Sequence, residues 1–166
     1  MTKPKNTRKK PSLSETELED IRDHGAVGRY LGAQLRLTHI NALNALQQDF
    51  APYQSSPVRF TLLEQVNELP GSTQATLASL MDVDRTTLVP IISDMEAKGL
   101  LRKKVLSTDK RAFQIWITQK GKKLLDELRP LAHAHEQRLC EGMSEEQRLA
   151  LIETLRDIRR NIAKIY

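Results

Sequence analysis

Between Leu77 and Gly99 the apolar residues fall where two short, steeply crossing helices can bury them together. Thr73 to Leu80 is polar on one side and apolar at Leu77, Ala78 and Leu80. Asp82 and Asp84 then interrupt the pattern, because aspartate competes with helix for local hydrogen bonds and favours turns and caps. Asp84 predicts the N-cap of a second helix, from Arg85 to Lys98. Leu88, Ile91, Ile92 and Met95 form its apolar stripe, and Gly99 ends it. With Val83 in the turn, this is the spacing of a helix-turn-helix, which leaves the far face of the second helix free. At about 100° per residue, that face centres on Thr86, Pro90, Ser93 and Ala97, with Thr87 and Val89 flanking it. Such small side chains allow close approach to another surface, although an ordinary solvent face would look the same.

The next segment bears on that choice. Leu100 to Leu106 reads as a strand carrying Arg102, Lys103 and Lys104 in succession. Ser107 to Lys110 is turn chemistry. Arg111 to Ile117 returns as a second strand, with Phe113, Ile115 and Ile117 on one face. Lys103, Lys104, Lys110 and Arg111 near the tip would present charge to phosphates, where a basic edge strand alone could serve only solubility. A cationic hairpin directly after a helix-turn-helix points to DNA.

Asp84-Arg-Thr-Thr-Leu, Asp94-Met-Glu-Ala-Lys-Gly-Leu-Leu101, Asp109-Lys-Arg-Ala and Ile115-Trp-Ile-Thr-Gln-Lys-Gly121 occur in this order. Together they resemble the MarR family of bacterial transcription regulators, and the order of elements matches from about residue 26 onward. The resemblance implies a mainly α (α+β) fold: a winged helix-turn-helix DNA-binding lobe with a helical dimerisation region. It also implies that Arg111, oriented by Asp109, reaches the minor groove from the wing. Two positions depart from the family pattern. Asp82 stands where glycine is common, and Pro90 occupies a recognition-helix position that is often polar or basic.

Composition is consistent with a nucleic-acid partner. The chain of 166 residues has a net charge of +5 and a pI near 9.4, as basic DNA-binding domains do. A single cysteine excludes an intrachain disulfide and a cysteine-rich zinc site. No run of about 18 apolar residues predicts a membrane span. The basic N-terminus lacks the apolar core of a secretory signal, so the expected location is cytoplasmic.

Residues 1–13, with Lys3, Lys5, Arg8, Lys9 and Lys10, are expected to form a disordered basic tail, either solubilising or touching DNA. Ser14 to Glu17 is a capping box for a first helix, which pauses at Gly25. A longer helix, from about Ala26 to Phe50, carries Val27, Tyr30, Leu31, Leu35, Leu37, Ile40, Leu43, Leu46 and Phe50 on more than one face. A helix apolar on several sides is buried on several sides, here by a second subunit as well as its own domain. Another helix spans Val58 to Leu69 and ends at Pro70-Gly71. After the hairpin, Thr118 caps a helix that Pro130 kinks without ending before Leu139. Ser144 to Gln147 is a second capping box. Beyond it, Leu151, Leu155, Ile158, Ile162 and Ile165 repeat at spacings 4, 3, 4, 3, a coiled-coil-like seam. Packing within one chain would also use such a seam; the family resemblance implies that N- and C-terminal helices of two chains intertwine. The expected division is thus 14–52 with 121–166 for dimerisation and 57–120 for DNA binding.

No hydrolase, P-loop, dinucleotide or zinc-protease motif is present, so no enzyme activity and no cofactor are expected. His133 and His135, two apart on a helix, point roughly 160° from each other and cannot share a metal. Cys140 is expected to be a buried structural thiol. MarR-like proteins often bind a small aromatic acid between the dimer helices and the DNA-binding lobe. Arg36 and His39 lie on one helical face, and Arg59 opens the next helix. A guanidinium beside an imidazole can hold a carboxylate, but ion pairing with a nearby acid is equally open to these residues.

The sequence therefore predicts a homodimeric, sequence-specific repressor of double-stranded DNA. Arg85, Thr86, Thr87, Val89, Pro90, Ser93, Lys103, Lys104, Asp109, Lys110 and Arg111 would meet a pseudo-palindromic operator, and an effector at Arg36, His39 and Arg59 would release it. The alternatives are a ligand-independent or architectural DNA-binding protein, or a protein-interaction adaptor on the same fold.

Overall fold

The computed structural model describes residues 25–105 and 113–165. The basic tail, the Ser14 capping box and the hairpin tip with Asp109, Lys110 and Arg111 lie outside the described residues. The chain divides into two compact units, 1–41 and 42–166.

In the first unit, the long helix expected from Ala26 starts later. Gly25–Arg29 forms a 3-10 helix, and α1 runs Leu31–Phe50. Gly25 (φ +53°) and the buried Gly28 explain the interruption, since glycine weakens an α-helix and frees the backbone for tighter turns. Gln34 secures the turn by donating to the Gly28 carbonyl at 2.8 Å.

The second unit holds the end of α1, a 3-10 turn at Ala51–Tyr53, α2 (Pro57–Glu68), β1 (Ser72–Thr73), α3 (Gln74–Leu80), α4 (Arg85–Ala97), β2 (Leu101–Val105), β3 (Phe113–Ile117), α5 (Gln119–Leu139) and α6 (Glu145–Ile162). Helix α2 begins at Pro57, one residue earlier than expected, because proline suits the first helical position behind the Ser56 cap. The three strands form an antiparallel sheet in the order β1-β3-β2. β1 is too short for a sequence pattern to show; it pairs Ser72 with Ile115 and Thr73 with Gln114.

The core of this lobe joins every helix from α2 to α5 with strands β2 and β3. Leu62, Leu63 and Val66 of α2 meet Leu77 and Ala78 of α3, and Leu88, Ile92 and Met95 of α4. Leu100, Leu101, Ile115 and Leu125 complete it. Ile91, expected in the buried stripe, is only partly buried at its margin. Phe113, expected beside Ile115, is exposed, because it sits at the end of the sheet away from the helices.

Three local devices fix the geometry. Asp82 adopts φ +51° in the turn between α3 and α4. This left-handed conformation is why glycine suits the position, and aspartate is among the few other residues that tolerate it. At the end of α4, Gly99 (φ +71°) lets its own N–H reach the Glu96 carbonyl and that of Leu100 reach Met95, a Schellman closure. At the start of α5, Thr118 Oγ1 accepts from Gly121 N at 3.0 Å and donates to the Gly99 carbonyl at 2.7 Å. A Cβ on Gly121 would lie 2.2 Å from the Leu100 carbonyl oxygen, so only glycine permits this approach. The Thr-x-x-Gly spacing is thus a clasp that fastens α5 to the end of α4.

Helix α5 continues through Pro130 to Leu139, as expected. Arg129 bonds both Glu64 oxygens at 2.9 Å, tying α5 to α2, and Arg138 pairs with Asp49 of α1. Helix α6 opens with the full Ser144–Gln147 capping box. Cys140 is half-buried at the α5 C-cap and not a core thiol, because the last turn of α5 lies at the surface with Leu139 exposed. No helix among the described residues is long and apolar enough to cross a membrane.

Candidate nucleic-acid interface

Helix α4 is held by its apolar stripe, and Arg85, Thr86, Thr87, Val89, Pro90, Ser93 and Ala97 are all exposed. Asp84 is its N-cap but makes no side-chain cap bond. Only its carbonyl takes part, accepting from Thr87 and Leu88 at 3.0 and 3.1 Å. The Asp84 carboxylate therefore stands exposed beside Arg85 at the helix entrance. Pro90 leaves the helix unbroken from Arg85 to Ala97, although a proline here deprives the Thr86 carbonyl of its helical donor.

The cationic run of β2 is divided by strand alternation. Lys103 lies opposite Ile115 and turns toward α4. Its ammonium bonds Glu96 Oε2 at 2.8 Å and Ser93 Oγ at 3.2 Å, and its backbone N–H donates to Glu96 Oε1 at 3.2 Å. Arg102 and Lys104 take the other face, where their charged groups lie 5.7 and 5.3 Å from the centre of the Trp116 ring. Both stay exposed, and the aromatic ring beneath them limits their freedom without neutralising them. Arg102 was missed in the sequence as a candidate phosphate contact; period-two alternation alone would have grouped it with Lys104 and separated Lys103.

The expected effector residues have different surroundings. Arg36 lines an open groove of about 830 Å³ with Val27, Tyr30, Ala33 and Leu37. His39 is exposed on α1 outside that lining. Arg59 is engaged: Nη2 bonds Asp94 Oδ2 at 2.7 Å, and Nη1 donates to the Gln54 carbonyl at 3.2 Å. The hydrogen bond from Lys98, together with the nearby Arg59 charge, holds the Asp94 carboxyl below its usual range. Asp94 and Glu96 stood in the family-like motif without a role; each receives a cation from a neighbouring element.

The C-terminal seam is largely uncovered in the single chain. Leu151, Leu155 and Ile162 are 48%, 36% and 51% exposed, and Ile165, beyond the end of α6, is 72% exposed. Ile158 is half-buried. No residue of α6 is fully buried.

Residues 56–113 match the MarR family model. The chain is 28% identical over 138 residues to a regulatory protein assigned to the hcr operon of Thauera aromatica, covering 82% of this chain and 83% of that protein. Its fold is similar to that of the transcriptional repressor CouR bound to a 23-mer DNA duplex, with a TM-score of 0.75 and 26% identity over 90% of this chain and 99% of that one. It is also similar in fold to CouR of Rhodococcus jostii RHA1 bound to p-coumaroyl-CoA, with a TM-score of 0.71 and 23% identity over 83% of this chain and 94% of that one.

Proposed function

We propose that this chain is a MarR-family transcription regulator that works in the cytoplasm as a homodimeric repressor released by a small effector. The observation that carries the reading is the exposed face of α4, small side chains from Thr86 to Ala97 over a core that uses the opposite face. Arg85 and the cations of the wing take phosphates, and the α4 face enters the major groove. The uncovered seam of α6 and the exposed apolar residues of α1 serve the second subunit. The effector is an aromatic carboxylate held by Arg36 in the groove beside Tyr30. The binding of p-coumaroyl-CoA by CouR, a fold neighbour, supports an aromatic acid or its thioester.

Fluorescence anisotropy with duplexes from the promoters beside its own gene tests the reading. One dimer should bind each pseudo-palindromic site in preference to random DNA. Small aromatic acids should release wild-type protein, whereas Arg36→Ala should stay bound. Equal affinity for every duplex would favour an architectural protein, and no binding at low salt an adaptor.

A further inference from the structure

Helix α4 and strand β2 meet at one exposed hydroxyl. Among the described residues Ser93 Oγ makes a single hydrogen bond, and it is the acceptor: Lys103 Nζ donates to it at 3.2 Å. Other helical hydroxyls of this chain give their proton to their own helix. Thr61 Oγ1 donates to the Pro57 carbonyl at 3.0 Å, and Thr154 Oγ1 to the Ala150 carbonyl at 2.8 Å. Ser93 is turned to β2 instead, so its proton stays available on the exposed face of α4. Lys103 is itself fixed. Glu96 holds its ammonium at 2.8 Å and its backbone N–H at 3.2 Å, and its side chain is 18% exposed. That ammonium is committed to α4, whereas Arg102 and Lys104 stay exposed on the other face.

The ammonium occupies one lone pair of the hydroxyl and polarises its O–H bond, which strengthens Ser93 as a donor. A donor approaching the remaining lone pair meets the ammonium beside it, positive end to positive end. Ser93 thereby favours acceptors. Pro90 and Ala97 lie within about 60° of it around the helix, one turn before and one turn after, and both are exposed. A hydroxyl donor between two apolar groups matches one base in the major groove. Thymine sets its O4 acceptor beside a methyl; guanine has acceptors but no methyl, and cytosine and adenine each present an amino donor. We propose that Ser93 donates to O4 of one thymine in each half-site, whose methyl rests against the apolar groups beside it, and that Lys103 is the positioning residue that holds the hydroxyl as a donor. Lys103 then sets a base preference without touching a base, a role apart from the phosphate contact its charge alone suggests. The proposal rests on the DNA-binding reading above.

The test uses the full chain and the operator returned by selection from random DNA at fixed salt. Each selected thymine is replaced in turn by uracil, which keeps O4 and lacks the methyl, and by 5-methylcytosine, which keeps the methyl and puts an amino donor in place of O4. At one thymine per half-site, 5-methylcytosine should weaken wild type about tenfold and uracil about fourfold. Ser93→Ala should bind thymine and 5-methylcytosine there equally and still lose affinity with uracil. Most of the difference between thymine and 5-methylcytosine should vanish in Lys103→Met, and Lys103→Arg should restore it. A wing merely loosened by the loss of Lys103 would weaken both duplexes alike and leave their ratio unchanged, which would overturn the positioning role. A ratio unchanged in Ser93→Ala at every thymine, or a consensus without thymine, would overturn the base contact. If wild type selects no sequence and holds no duplex at low salt, the DNA-binding reading itself fails and takes the proposal with it.

Discussion

Glu96 takes both ends of Lys103: its Oε1 accepts the backbone N–H at 3.2 Å and its Oε2 the ammonium at 2.8 Å. One carboxylate on α4 therefore sets both the height of β2 and the direction of its middle lysine. The ammonium goes on to Ser93 Oγ at 3.2 Å, which occupies a lone pair of that hydroxyl and leaves its proton to be donated outward.

Glu96→Ala should therefore loosen the wing against α4. The loss in stability should be about 1 kcal/mol, since the pair is partly solvated, and Glu96→Gln should lose less. DNA affinity should fall in Glu96→Ala while the lobe remains folded by circular dichroism. An unchanged affinity would mean that the wing keeps its pose without the clamp.

Gly121→Ala should destabilise the chain by about 1–3 kcal/mol, because the new methyl meets the Leu100 carbonyl and the Ile117 side chain. Thermal melting measures it. Gly142→Ala offers a contrast: a Cβ there meets nothing within 4 Å, and the cost comes from φ +80° alone.

Leu155→Glu with Ile162→Glu should abolish the dimer by placing charge in an apolar seam. Both residues are exposed in the single chain, so the helical signal should persist as the sedimenting mass halves. A dimer of unchanged mass would put the interface elsewhere.

Much of this was legible because it is periodic. The stripe Leu88, Ile92 and Met95, the exposed face from Thr86 to Ala97 and the seam of α6 follow from the pitch of a helix. The caps at Thr118 and Ser144 follow from side chains that satisfy local backbone donors. Contacts between elements were not legible. Nothing local says that Arg59 reaches Asp94, 35 residues away, or that Lys103 turns inward to Glu96 while its two neighbours turn out. The half-exposure of Cys140 depends equally on how the end of α5 packs.

Binding to DNA should fall steeply with salt, by close to one power of salt concentration per phosphate contact. With Lys103 held by Glu96, Arg102→Ala or Lys104→Ala should reduce that slope more than Lys103→Ala. Selection from random DNA should return A·T-rich half-sites about one helical turn apart, as thymine methyls complement Val89, Pro90 and Ala97. Arg111→Ala should cost about 1–3 kcal/mol of affinity if the side chain reads a groove.

Acid should undo the tie between α2 and α4. Lys98 and Arg59 hold the Asp94 carboxyl below its ordinary 3.8. A depressed folded-state value means stabilisation that is complete at neutral pH and is lost as the pH falls through that value. Wild type and Asp94→Asn, separated in denaturant midpoint at pH 7, should therefore converge below pH 3.8.

The clasp at Thr118 and Gly121 also has a mechanical meaning. It pins one end of a long helix, since the 21 residues of α5 run unbroken past Pro130 and span about 31 Å at 1.5 Å per residue. With the pivot at the foot of α4, a tilt of about 5° carries the far end through roughly 3 Å. In reverse, a push of a few ångströms near Leu139 reaches the clasp as a small rotation with a long moment arm. The fold is geared: displacement is large where α5 ends, and torque is large where α4 is held.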